Sequence, residues 1–273
     1  MNIIDCHIHC SESKEDALIP YAKMNGLNYN LSELLAMMEE NNVVSGLLLS
    51  PPQNNGSPVP NREIHRLCMK SKDRLFPIIT VKPLGSEVSK CLELARANQG
   101  YVKGFKILLG YFANYPYDQV YSRIYTYAES HNLPVMFHTG DTASSTASLV
   151  HAKPLGLDVL ANERQELKIV VCHFGNPWLH DTAEILYKHP NVFADISGLF
   201  TVGAKYSRRY LNCLARALSE AIYFVGTAEK VIFGTDYPIE RYSDAIKFTK
   251  SLKLTRDDIR KIFSANAKKV FDI

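Results

Sequence analysis

Asn2-Ile-Ile-Asp5-Cys6-His7-Ile8-His9 opens the chain as a run of strand-forming residues ending on two histidines. Side chains alternate between the faces of a β-strand, so His7 and His9 are expected on one face and Cys6 and Ile8 on the other. Two imidazoles held two residues apart on a rigid strand form half of a divalent-metal site. Such a pair is also common without a metal. The reading therefore turns on whether later strands bring further ligands to the same place.

Seven more β-like runs follow, separated by helical patterns. The expected strands after the first are Val43 to Leu49, Phe76 to Lys82, Val102 to Leu108, Pro134 to Thr139, Lys168 to Phe174, Val192 to Ile196 and Lys230 to Thr235. They read as continuous apolar runs, as in a parallel sheet buried on both faces. Asn30-Leu-Ser-Glu33 resembles a capping box, and Leu31, Leu34, Leu35 and Met38 then recur at helical spacing. Further helices are expected over Asn61 to Ser71, Glu87 to Ala97, Gln119 to Ser130, Pro154 to Asn162, Leu179 to Lys188 and Arg209 to Phe224. Asp244 to Leu252 and Asp257 to Phe271 close the chain. Eight strand–helix units in 273 residues indicate an α/β protein of the (β/α)8 TIM-barrel class, a single domain over residues 1–273 with its site at the C-terminal ends of the strands. A doubly wound open sheet is the alternative, but the glycine-rich turn it needs after the first strand is missing.

Composition sets the outer limits. The chain is 46% hydrophobic and 22% charged, which is ordinary for a globular protein. A formal net charge of +3 argues against nucleic acid or an anionic membrane as a partner, and leaves a small-molecule substrate. No apolar run approaches the ~20 residues of a membrane span. The N-terminus lacks a basic stretch followed by an apolar segment, so a cytoplasmic protein is expected. A homodimer is compatible with this composition. Cys6, Cys10, Cys68, Cys91, Cys172 and Cys213 are dispersed without a CxxC pair and read as free thiols. Cys6 and Cys10 are expected to face away from the histidines.

A barrel places its functional groups at the C-terminal ends of its strands. The fifth strand ends in Phe-His138-Thr-Gly, the sixth in Cys-His173-Phe-Gly, and the eighth in Phe-Gly-Thr-Asp236-Tyr-Pro. The fourth, Gly-Phe-Lys106-Ile, ends less tidily. Any one of these histidines alone could be a half-buried strand terminus. Together with His7 and His9, they converge on one rim. Imidazoles and a carboxylate suit zinc or a similar borderline divalent ion.

These landmarks resemble the amidohydrolase superfamily, most closely its amidohydrolase-related branch of metal-dependent hydrolases and decarboxylases. The likeness runs over nearly the whole chain. It includes Ile-Asp-Cys-His7-Ile-His9, Asp73-Arg74-Leu-Phe-Pro, Gly-Phe-Lys106, Phe-His138-Thr-Gly, Cys-His173-Phe-Gly, Ala-Asp195-Ile-Ser-Gly, Gly-Thr-Asp236-Tyr-Pro and Ser264-Ala-Asn266-Ala. The resemblance implies that His7, His9 and His138 bind the metal, with Asp236 as a further ligand or as the base. His173 would be a ligand to a second metal, or a general acid/base beside a single one. It also implies one zinc ion, or two were Lys106 carbamylated to bridge them; otherwise Lys106 contacts substrate or gives structural support. A metal held by neutral imidazoles lowers the pKa of bound water towards ~7, and Asp236 and His173 can then move protons.

The strand-to-helix loops decide the substrate. Arg62 and Arg241 could grip an anion, and Tyr111, with Phe112, Tyr115 and Tyr117, could cover a small ring. His65, His131, His180 and His189 fall on or beside helices and are expected to be structural or exposed. The expected function is a metal-dependent hydrolase acting on a small anionic or cyclic amide, lactone or ester. A non-oxidative decarboxylase or hydratase on the same scaffold is the alternative, and a metal-binding protein without catalysis is a third reading.

Overall fold

A computed structural model describes residues 1–53, 56–142, 144–200 and 207–273. Asn54 and Asn55 of the loop after the second strand, and Ala143 of the loop after the fifth, lie outside the described residues. The eight strands are β1 (Ile3–His9), β2 (Val43–Leu49), β3 (Leu75–Val81), β4 (Gly104–Ile107), β5 (Val135–Phe137), β6 (Ile169–Val171), β7 (Val192–Asp195) and β8 (Val231–Ile232). They pair in parallel in chain order. Closure between β8 and β1 is irregular: Cys6 N donates to Phe233 O, Asp236 N to His7 O and His9 N to Tyr237 O, at 3.0, 2.8 and 2.8 Å. The result is the expected (β/α)8 barrel.

Two apolar layers follow from strand alternation. Ile79, Val81, Phe105, Ile107, Phe137 and Val171 face outward and pack against the helices. Ile4, Leu47, Ile78, Met136, Val170 and Ile232 fill the barrel interior. The last helix (Asn266–Phe271) contributes Ala267, Val270 and Phe271 to that interior layer and closes the N-terminal end. Asn266 anchors it by donating to the carbonyls of Ala228 and Val231 at 2.8 and 2.7 Å. The site is left at the opposite rim.

β1 departs from simple alternation, because its register with β2 slips between Asp5 and Ile8. Three residues of β1 oppose two of β2, as in a β-bulge, and the alternation flips. Cys6 therefore packs inside the barrel with Cys172, contrary to the expectation from a regular strand, while Ile8 turns outward. Gly46 of β2 makes this fit: a Cβ there would lie 2.3 Å from Ile8 Cδ1.

Several strands are shorter than their apolar runs because the rim residues leave the ladder. β6 stops at Val171, and a tight turn over Cys172–Gly175 follows, with φ of +60° at His173 and +46° at Phe174. β8 stops at Ile232, and Asp236 has a φ of +54°. Such left-handed non-glycine residues cost about 1–3 kcal/mol each and gather at functional sites. Asn30 caps the helix Leu31–Glu40 by accepting from Glu33 N at 2.9 Å, as its sequence predicts. The loop after β1 holds a short helix, Ile19–Met24, that brings Tyr21 to the rim. Among the described residues, no helix is long and apolar enough to cross a membrane.

A candidate metal centre at the barrel rim

His7 and His9 reach the rim with their outer nitrogens committed. His7 Nδ1–H donates to Asp195 Oδ2 at 3.0 Å, and His9 Nδ1–H donates to the Leu49 carbonyl at 3.0 Å. A carbonyl only accepts, so this contact sets the His9 tautomer and leaves the Nε2 lone pair free. Both Nε2 atoms face Asp236 Oδ1, at 3.6 Å from His7 and 3.0 Å from His9. Ligand atoms of the three residues lie within 4.8 Å of one another. A lone pair 3.0 Å from a carboxylate oxygen is repulsive unless positive charge lies between them. A shared proton or a divalent cation meets that need.

The protonation states agree. Burial, reinforced by the nearby Lys106 charge, lowers the pKa of His7 to about 4 against the pull of Asp195 and Asp236. Burial opposes ionisation of Asp236, but His7, His9 and His173 outweigh it and hold its carboxyl below the usual range. Neutral imidazole and ionised carboxylate are the forms that ligate zinc. The oriented Nδ1–H bonds to a carboxylate and a carbonyl match the outer support typical of ligating histidines. The residues present fit a divalent metal.

His138 and His173 form a second pair beside this trio. His138 Nε2–H donates to Asp141 O and His173 Nδ1–H to Ser197 O, both at 3.0 Å. Their inner nitrogens, His138 Nδ1 and His173 Nε2, stand 3.1 Å apart. With both outer nitrogens donating to carbonyls, the inner contact is a hydrogen bond only when one inner nitrogen is protonated. Burial, His173 and Lys106 push the His138 pKa well below its ordinary value. The ring of His173 also lies 4.9 Å from that of His7, so the two groups share one floor.

Asp195 is the residue whose importance is missed when only histidines and Asp236 are followed. It is fully buried at the end of β7. Oδ2 accepts from His7, and Oδ1 accepts from His173 N, Ser197 N and Ser197 Oγ at 2.9, 3.1 and 2.6 Å. One carboxylate thus holds His7 of β1 and the backbone of His173 in the turn after β6. Its signal was the same strand-end position, in Ala-Asp195-Ile-Ser-Gly. Asp5 has a similar part on the other side: it accepts from His7 N, Thr235 N and Thr235 Oγ1 at 3.0, 3.1 and 2.6 Å, tying β1 to the chain after β8. Gly198 has a φ of +58°, and a Cβ there would lie 2.6 Å from Asp236 Oδ2 and 2.9 Å from His173 Nδ1.

A cavity of about 330 Å³ opens above these groups, lined by Tyr21, Tyr111, His138, Asp141, His173, Asn176, Leu199, Phe200, Tyr210 and Asp236 among others. Tyr111 sets its ring 4.9 Å from that of His138. The other expected substrate contacts lie elsewhere. Arg62 lines a separate groove with Lys82 and Lys90, and Arg241 Nε donates to Asn25 O at 3.0 Å. Tyr115 stacks on Tyr117 and touches His151, away from the cavity lining. Lys106 is buried inside the barrel, with Nζ 2.8 Å from Cys172 Sγ. Of the remaining histidines, His131 stacks on Tyr127 and His189 pairs with Asp158 at 2.7 Å.

A family model described as Amidohydrolase matches residues 4–273. An amidohydrolase from Burkholderia multivorans with bound zinc superposes with a TM-score of 0.76 at 14% identity, covering 100% of both chains. A probable 2-pyrone-4,6-dicarboxylic acid hydrolase from Acinetobacter baumannii, solved with citric acid, gives 0.71 at 19% identity, again over 100% of both chains. 5-Carboxyvanillate decarboxylase from Sphingomonas paucimobilis gives 0.67 at 17% identity, over 100% of this chain and 99% of its own. At such identities these likenesses speak for the fold. No curated protein matches the chain in sequence.

Proposed function

The chain belongs to the amidohydrolase family, and from that premise and the rim geometry we propose that it is a metal-dependent hydrolase of a small anionic or cyclic amide, lactone or ester. The observation that carries the reading is the convergence of His7 and His9 Nε2 on Asp236 Oδ1 beside the His138–His173 pair. His7, His9 and Asp236 would hold the metal, with His138 as the neighbouring imidazole able to join them. When bound, a divalent ion supplies Lewis acidity that polarises a carbonyl and acidifies water.

The chain's own groups supply the rest. Asp236 lines the cavity and accepts a proton from attacking water at a carboxylate oxygen. His173 Nε2, held in place by its Nδ1–H bond to Ser197 O, donates a proton to the departing oxygen or nitrogen. Tyr21, Tyr111 and Tyr210 supply flat, partly polar walls for a ring.

Hydrolysis is our reading because Asp236, on the cavity wall, can take a proton from attacking water; a non-oxidative decarboxylase on the same scaffold is the alternative. The test is product analysis with zinc-loaded protein and a panel of lactones, cyclic amides and aromatic carboxylates in ¹⁸O-water. One labelled oxygen in the ring-opened product is expected. Carbon dioxide release without label would replace this reading by decarboxylation.

A further inference from the structure

Glu240, in the segment after β8, is 1% exposed, yet it takes no part in the chemistry described above. Its Oε1 accepts from Phe200 N, in the loop after β7, at 3.1 Å. Phe200 and its neighbour Leu199 line the cavity, and the Phe200 ring packs on that of Phe248 with centroids 5.2 Å apart. The base of this wall is held separately, because Ser197 N and Oγ donate to Asp195 at 3.1 and 2.6 Å. The segment that carries Glu240 is held as well: Asn25 Nδ2 donates to Pro238 O and Ile239 O at 2.7 and 3.0 Å, and Arg241 Nε donates to Asn25 O at 3.0 Å. Glu240 thus joins a fixed anchor to the far end of a cavity wall. Burial, with Asp236 and Asp5 adding to it, pushes the Glu240 carboxyl well above the usual range against the pull of the Phe200 and Leu199 N–H groups. That favours the neutral acid, which an amide can imitate.

We propose that Glu240 is a positioning residue for substrate binding: its buried side chain clips the Leu199–Phe200 wall to the segment after β8 and so sets the width of the cavity. The inference rests on the hydrolase reading above for its substrate, whereas the clip itself does not. Without this acceptor, Phe200 N would be left buried and unpaired, and the wall would shift to meet water. The disturbance stops at Ser197, which Asp195 holds. His173 Nδ1–H keeps its bond to Ser197 O, and Asp236 N keeps its bond to His7 O. The cavity therefore loosens while the reacting groups stay in place. Loss of the clip weakens binding of substrate and transition state alike, which raises KM and leaves kcat unchanged.

The test is residue-resolved amide hydrogen exchange on the full chain, beside steady-state kinetics of the zinc-loaded protein on a lactone or cyclic amide from the panel above. Glu240→Met keeps the length and removes the acceptor. Its Phe200 amide is expected to exchange at least about tenfold faster, with the amides of β1 to β6 unchanged. KM is expected to rise about tenfold, with kcat within about threefold of wild type. Glu240→Gln keeps the acceptor and should leave both exchange and KM at their wild-type values. If E240M does not fold by circular dichroism, E240A carries the same expectation. Unchanged exchange at Phe200 in the folded variant would overturn this inference alone, as would a fall in kcat at constant KM, or E240Q behaving as E240M. A wild type that turns over no member of the panel would overturn the hydrolase reading, and the exchange rates would still decide the clip.

Discussion

Asp195→Asn is the most informative single substitution outside the proposed ligands. The carboxylate accepts four hydrogen bonds, three at Oδ1 and one at Oδ2 from His7 Nδ1–H. An asparagine meets the three donors best by keeping its carbonyl oxygen at the Oδ1 position. Its amide group then faces His7 Nδ1, where a donor meets a donor. The least costly response is a change of His7 tautomer: Nδ1 accepts, and the proton moves to Nε2. That atom faces Asp236 Oδ1 at 3.6 Å and would have no lone pair left for a metal. Loss of such outer support typically weakens metal binding by about 10–100-fold, or about 1.4–2.8 kcal/mol. The tautomer argument puts this variant at the upper end. The fold should survive, since an isosteric amide still satisfies the backbone donors. Zinc affinity from competition with a chromophoric chelator, beside thermal unfolding of the metal-free proteins, gives the answer. An affinity within about threefold of wild type would refute the reasoning, because even the lower end of that range would be absent.

Other outcomes follow from the same geometry. His173→Asn should leave metal content unchanged and lower turnover by about 10²–10⁴-fold, the usual share of a proton donor, read from steady-state kinetics at fixed metal loading. Gly198→Ala meets both a φ of +58° and Asp236 Oδ2 2.6 Å from the new Cβ; it should cost about 1–3 kcal/mol in urea unfolding and reduce metal affinity together with activity. Gly46→Ala collides with Ile8 Cδ1 and should destabilise by about 1–3 kcal/mol, and Ile8→Val, which removes that atom, should recover most of the loss in the double variant. The His7 pKa of about 4 lies below the unfolded value near 6.5, so the unfolded chain binds the extra proton in that window. Metal-free protein should therefore lose stability as pH falls from about 6.5 towards 4, by at most about 3 kcal/mol from this group, and flat urea midpoints across that range would contradict it.

The barrel was legible because its signals are local and repeated. Eight apolar runs separated by helical periodicity need no long-range information, and strand ends in such a fold share one rim. That rule alone drew attention to His7, His9, His138, His173 and Asp236. The bulge in β1 was not legible, because it depends on Gly46 of another strand giving room to Ile8, and it reversed the facing of Cys6. The fate of the charged candidates was hidden for a similar reason. Arg62 and Arg241 stand near the rim in chain order, but long side chains settle on whichever partner lies within reach, here a separate groove and the Asn25 carbonyl. Lys106 turns inward because β4 alternates with Phe105 and Ile107 packed outward. Asp195 showed the right strand-end position but not its four partners, which come from β1, from the turn after β6 and from the residues just beyond its own strand. Periodicity and residue type are written along the chain, and they were enough for architecture and for the neighbourhood of the chemistry. Which nitrogen holds a proton and which carboxylate orients which ring depend on distances between residues up to 230 positions apart, and only the folded barrel sets those distances.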